Sequence, residues 1–205
     1  MMIQSCGLIA PPSWTQGQQD DLQCVALANQ AVLSLRERKF QAQLREYSFT
    51  TSSTSTRYAP PLDSLGIVPD TMWMQSSIWK VDFPTDPTVW AYLRASAGPS
   101  GVQIRARIIQ NAIEIWQPQD GISIGYEYYT KNCVFGYDAG FDPPIGVPKE
   151  LFTTDQDTHL FDGLLLIADI KWRYKKEKGF SDWQVDFEAF KAQLNAVMGR
   201  DAGAK

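Results

Sequence analysis

The strongest constraint on the fold lies near the C-terminal end. Trp183, Phe187, Phe190, Leu194 and Val197 recur at spacings of four, three, four and three, which sets them on one face of a helix. A stripe of large apolar side chains is stable only when another apolar surface covers it. Residues 163–179, GLLLIADIKWRYKKEKG, supply one. There Leu160, Phe161, Leu164, Leu165, Ala168 and Trp172 form a helical stripe, with Asp157 as the expected N-cap and Gly179 as the stop. Residues 17–45 supply another, with Leu22, Val25, Ala28, Val32 and Leu35 on one face and Arg36, Arg38 and Lys39 near the end, where cations suit the helix dipole. Pro11 and Pro12 punctuate the chain before it, and a short helix is expected over residues 1–9. Ser181 with Gln184 forms a capping box for the last helix, and Gly199 ends it, leaving 199–205 as a polar tail expected to be disordered until it docks.

The middle of the chain changes period. Tyr47, Phe49 and Thr51 alternate, then TTSSTSTR (50–57) reads as turn or edge-strand material. Strand-like segments follow at 72–83, 102–109, 112–117 and 122–132. In the clearest, Val102, Ile104, Ala106 and Ile108 alternate with Gln103, Arg105 and Arg107, a strand with one wet face. Gln110-Asn111 and Pro118–Gly121 are turn signals, so 102–132 reads as an antiparallel three-stranded meander with Ile104, Ile108, Ile113, Ile115 and Ile124 on or near its buried face. DPTVWAYLRASAG inserts a short helix, with Asp86 as N-cap, Pro87 first and Gly98 as stop. The expected fold class is therefore α+β: an α-helical bundle from residues 1–45 and 151–205, a small antiparallel β domain inserted at 46–135, and a Gly- and Pro-rich connecting loop at 136–150.

Composition removes several function classes. A net charge of −4 with a pI of about 5.0 does not describe a general polyanion binder. Cys6, Cys24 and Cys133 are far apart, no CxxC occurs, and His159 is the single histidine, so a zinc site is not expected and buried thiols in a reducing compartment are. No secretory leader is evident. The apolar run Leu164–Ala168 is bracketed by Asp162 and Asp169 and is far short of the roughly 20 residues that span a membrane. No calcium-loop spacing, phosphate loop, GxGxxG or GxSxG pattern is present, and no cofactor is expected.

Three groups of residues carry functional readings. Acids cluster at FDPP (141–144) and TTDQDT (153–158). An enzyme acting on polysaccharide would draw on Asp142, Asp155, Asp157 and Glu127, whereas helix capping is the plainer role of Asp155 and Asp157. His159 is expected in the first helical turn, in a surface or capping role. Lys171, Arg173, Lys175, Lys176 and Lys178 spread around a helix with Trp172 and Tyr174 between them, which fits cations at a helix C-terminus and also a protein interface. The seven tryptophans, among them Trp73, Trp79, Trp90 and Trp116, exceed ordinary core needs and fit a carbohydrate-stacking platform or an interface.

LFTTDQDTHLFDGLLLIADIKWRYKKEKGF (151–180) followed by DWQVDFEAF (182–190) resembles the C-terminal region of head-to-tail adaptor (connector) proteins of tailed bacteriophages. The shared phrases are an F-x-x-D-x-D lead-in and a helix ending W-R-x-K-x-x-K-G. VALANQAVLSLRERKFQAQLREYSFTT (25–51) is similar to their first helix and strand, and DTMWMQSSIWKVDFPTDPTVWAYLRAS (70–96) to their insertion. The resemblance implies a virion structural protein of the neck, assembled in the host cytoplasm, with neither catalysis nor membrane association. It implies a homo-oligomeric ring, commonly of twelve copies, whose helical part docks on the portal protein. The β-rich part then meets the next tail component, a nozzle or tail-tube protein, and DNA passes through the lumen without sequence-specific contact. Trp172, Arg173, Lys175, Lys176, Lys178, Arg200, Asp201 and Lys205 are the residues expected at the portal or subunit interface. The alternative is a tail-associated protein that binds or degrades polysaccharide.

Overall fold

A computed structural model of the chain describes residues 19–77, 79–83, 86–95, 104–110, 112–136, 146–154 and 156–203. The helix expected over 1–9 and the stop at Gly98 lie outside them. The described helices are α1 (Gln19–Arg36), α2 (Pro87–Ala95), α3 (Gly163–Glu177) and α4 (Trp183–Gly203). The strands are β1 (Leu44–Thr50), β2 (Arg57–Tyr58), β3 (Ser64–Ile67), β4 (Trp73–Met74), β5 (Arg105–Ile109), β6 (Ala112–Trp116), β7 (Ser123–Thr130), β8 (Val134–Gly136), β9 (Val147–Lys149) and β10 (Thr158–His159). The chain thus mixes α-helix with antiparallel sheet. It divides into two compact units, one drawn from the chain up to Gln43 and from Lys131 onward, the other from Leu44–Thr130. The crossings fall a few residues from those read in the sequence. Leu44 and Arg45 already pair with Tyr129 and Tyr128, and β8 pairs with β9 and β10 instead of the inserted strands.

In the inserted unit β7 is the central strand. It pairs with β1 along one side, from Leu44 opposite Tyr129 to Thr50 opposite Ser123, and with β3 and β4 on the other. Gly125 in this strand lies beneath the Trp73 ring, where a Cβ would sit 3.0 Å from the indole carbons. A second sheet has the order β2-β6-β5. Met72, Val81, Ala106, Ile113, Ile115, Ile124 and Tyr126 from both sheets and their connections bury each other in one core.

The expected 102–132 meander does not form. β5 and β6 make the hairpin, with Ile108 opposite Ile113, but β7 leaves for the other sheet. The cause is local to the connection. Gln117 and Gly121 take left-handed backbone angles (φ 48° and 77°), and Thr51 at the end of β1 exchanges backbone bonds with Gly121 and Ile122 at 3.0 and 2.8 Å. These bonds bring the chain down beside β1, while β2 takes the free edge of β6. Of the isoleucines expected inside, Ile113, Ile115 and Ile124 are fully buried, Ile104 packs on the core, and Ile108 is half-buried. Residues 72–83 are a small hairpin, not one strand: β4 turns at 75–77 and Lys80 returns opposite Trp73. The short helix is as read, with the Asp86 carboxylate accepting the Thr88 N–H at 2.7 Å.

In the other unit α3 packs on α1 and on α4. One core contains Leu27, Ala31, Val32 and Leu35 of α1, Leu165, Leu166 and Ile170 of α3, and Phe190 and Leu194 of α4, with Phe187 and Val197 partly buried against it. Of the apolar seam on α4, Phe187, Phe190, Leu194 and Val197 face this core, and Trp183 lies beside Trp172 and Phe187. Of the expected α1 stripe Ala28, Val32 and Leu35 are buried as read, but Leu27 and Ala31 join them and Leu22 is 60% exposed, so the buried face is turned from the one expected. The helix also stops at Arg36, well before 45, because Lys39 turns left-handed (φ 57°) to bury Phe40.

The sequence placed the α3 cap at Asp157; it is Asp162, whose carboxylate accepts the N–H groups of Leu164 and Leu165 at 2.9 and 3.3 Å. Upstream, β10 pairs with β8, and β8 with β9, so both ends of the Gly- and Pro-rich stretch are strands and His159 is not helical. Gly179 ends α3 with φ 74°, as read. The tail is a second correction. Gly199 does not stop α4, which continues to Gly203. An exposed helical glycine costs about 1 kcal/mol. Against that, the Asp201 carboxylate accepts the Gln41 N–H at 2.9 Å and Arg200 lies 3.8 Å from Asp162.

Candidate functional site

The basic stretch on α3 is largely engaged within its own unit. Asp169 is wholly buried; the Trp172 indole N–H donates to it at 2.7 Å and Arg173 Nε at 2.9 Å. Burial pushes the Asp169 carboxyl above its ordinary range, with Arg173 and Trp172 opposing. Lys171 and Lys175 each reach Asp186 of α4 at 2.7 Å, and Lys175 also donates to Asp182. Burial works against the Asp186 charge, but the two lysines outweigh it and lower its pKa. Lys176 sits over the Trp183 and Trp172 rings at 5.2 and 5.8 Å, Arg173 over Trp172 at 4.8 Å, and Lys178 over Tyr174 at 5.5 Å. The contacts of Lys171, Lys175 and Lys176 join α3 to α4 and the residues just before it, whereas those of Arg173 and Lys178 stay within α3 and its end. Lys176, Lys178 and Arg200 remain exposed at the surface, Asp201 holds Gln41, and Lys205 lies outside the described residues.

The acids considered for catalysis are dispersed. Asp157 ties a turn by accepting the N–H groups of Thr153 and Thr154, the Thr154 hydroxyl and Lys149. Burial opposes its charge, yet these bonds hold it well below the usual carboxylate range. Glu127 stands opposite Glu46 in the β1–β7 ladder. Asp142 and Asp155 lie outside the described residues. His159 is in β10 with its ring 6.1 Å from Phe152 and its Nδ1 buried with no partner among the described residues. Burial lowers its pKa, against weaker opposing effects of the Phe161 backbone and Asp162.

The inserted unit holds a constellation that the sequence reading did not assemble. A cavity of about 420 Å³ is lined by Thr56, Trp90, Arg94, Glu114, Trp116 and Gln117 among others. Because paired antiparallel residues share a face, Arg57, Glu114 and Arg107 form one rung of the β2-β6-β5 sheet and Trp116 with Arg105 the next. Arg94 of α2 reaches Glu114 at 3.8 Å; Arg105 lies 3.5 Å from Asp82 and 5.9 Å over the Trp116 ring. The signal was in the sequence: Arg105 and Arg107 alternate on one strand, Glu114 and Trp116 on the next. What was missing was Arg57, brought in by β2.

Among the described residues no helix is long and apolar enough to cross a membrane, and no group of three or more His, Cys, Asp or Glu is placed to hold a metal ion. Cys24 and Cys133 are buried thiols. Comparison of the sequence with protein-family models and with curated proteins finds no match.

Proposed function

We propose that this chain is a virion structural protein, a head-to-tail adaptor that forms a ring below a viral portal. In this reading the three helices α1, α3 and α4 are the portal-docking bundle. The Leu44–Thr130 unit meets the next tail component, and DNA traverses the lumen. The observation that carries the reading is the organisation of the chain: helices from its two ends build one core, and a contiguous β segment is inserted between them. That is the arrangement implied by the phrase-by-phrase likeness to phage adaptors at 25–51, 70–96 and 151–190. A net charge of −4 suits a conduit that DNA passes without sticking. The residues at work on the helical unit are the exposed Lys176, Lys178 and Arg200, whereas Trp172 and Lys175 pack α3 on α4 and Arg173 holds Asp169 within α3.

The test is mass measurement on the purified chain, alone and mixed with the portal protein of the same virus. The expected result is a portal ring carrying adaptor subunits in a fixed ratio, twelve being the expected number. A chain that remains a monomer with and without the portal overturns the reading.

A further inference from the structure

We propose that the cavity over the β2-β6-β5 sheet binds an acidic sugar. Its volume of about 420 Å³ lies in the range of small-molecule sites. Trp90 lines it with only 3% of its surface exposed, and its indole Nε1 has no hydrogen-bond partner among the described residues. A buried donor left unmade is costly, and an acceptor oxygen entering the cavity would satisfy it. Trp116 supplies an aromatic surface for the apolar face of a sugar ring.

The charges choose among ligands. Arg94 and Glu114 line the cavity, and on the same face of the sheet Arg57 and Arg107 stand on either side of Glu114, while Arg105 is paired with Asp82. Arg94 is paired only loosely with Glu114 and is 63% exposed at its side chain, and among the described residues Arg57 and Arg107 have no ion-pair partner. The site therefore favours a ligand with negative charge. Glu114, at 13% exposure, stands beside Arg94 in the cavity wall and repels a doubly charged phosphate about twice as strongly as a single carboxylate. Sugar hydroxyls both donate and accept, so they match a carboxylate and a guanidinium standing side by side. A single carboxylate on the sugar pairs with Arg94 in the bidentate geometry that guanidinium groups favour. The assignment stands apart from the assembly reading, since it uses residues of the inserted unit alone.

The test is titration of the full ¹⁵N-labelled chain with sodium glucuronate, glucose and adenosine monophosphate, following indole N–H resonances. The Trp90 signal is assigned by its loss in Trp90→Phe. Glucuronate is expected to shift it and to saturate at a concentration on the order of 10 mM or below, with glucose about tenfold weaker. Arg94→Ala, a change at an exposed side chain, is expected to raise the glucuronate Kd about tenfold while the remaining spectrum keeps its dispersion. No shift with glucuronate, glucose binding as well as glucuronate, an unchanged Kd in Arg94→Ala, or tighter binding of the nucleotide would each overturn the proposal.

Discussion

Tyr126 is fully buried at the centre of the inserted unit, with Tyr47, Phe49 and Tyr128 edge-on around it, and its hydroxyl has no partner among the described residues. Burial, then the neighbouring tyrosines, push its pKa up, so it stays neutral and donates to nothing. Tyr126→Phe keeps the ring contacts and removes the unsatisfied group; it is expected to raise stability by about 1 kcal/mol in denaturant unfolding. His159 makes a second prediction whose sign is fixed by burial. Its folded pKa lies below 6.5, so the unfolded chain binds the proton more tightly. The stability it confers is full above about pH 6.5 and falls as pH drops through that value toward the folded pKa. It is the single histidine, so the difference in the slope of unfolding free energy between the chain and its His159 variant, from about pH 7.5 to 5, isolates this residue from the raised Asp169 carboxyl. His159→Gln is expected to flatten that slope; an unchanged slope refutes the assignment. The misplacement of the α3 cap is instructive here. Asp157 and Asp162 have the same local chemistry, and only the pairing of Thr158 and His159 with β8, a contact distant in sequence, decides which begins the helix.

The α3 helix shows how far periodicity carries. Its stripe was legible because a 3.6-residue repeat is local, and Leu165 and Ala168 duly lie toward the core; yet Leu164, counted in the stripe, is 70% exposed while Leu166 is buried. The run of consecutive leucines fixes that a helix is there but not its rotation, which the neighbours set. Leu165→Ala is accordingly expected to cost about 2–5 kcal/mol and Leu164→Ala under about 0.5 kcal/mol, measured by thermal or chemical unfolding. Comparable losses at the two sites would contradict the observed rotation. The β strands were legible as strands and illegible as partners. Alternation on 102–108 marks a wet face, but β7 satisfies its hydrogen bonds with β1, from the other end of the inserted unit, and no local signal announces that choice. At the end of α4, Asp201→Ala removes the acceptor for the Gln41 N–H. It is expected to destabilise the helical unit by about 1 kcal/mol and to speed amide exchange in residues 199–203.

At the scale of the molecule, the cavity needed α2, β6 and the chain beside β2 to come together, so its parts were readable and its existence was not. The insertion itself has a consequence that can be measured. Leu44 begins the inserted unit and Thr130 closes it, and Leu44 stands directly opposite Tyr129. The chain therefore enters and leaves that unit on neighbouring strands, roughly 5 Å apart. Among the described residues its core of Met72, Val81, Ala106, Ile113, Ile115, Ile124, Tyr126 and Tyr128 draws on none outside Leu44–Thr130. Nothing in that core is lost on excision, so residues 44–130 expressed alone are expected to fold cooperatively, with a stability of roughly 4–13 kcal/mol for a segment of that length. Strand-rich circular dichroism and a dispersed amide spectrum are the readouts, and a random-coil spectrum refutes the division. Joining Gln43 to Lys131 through a short Gly-Ser link is expected to leave the α1, α3 and α4 core intact, because its apolar members all lie on that side of the two crossings. Under the adaptor reading the two pieces then separate the two tasks. The linked helical piece is expected to join portal rings in mass measurement, and the excised β unit to remain apart from them. Portal binding by the β unit and not by the helical piece would reverse the assignment of the two ends.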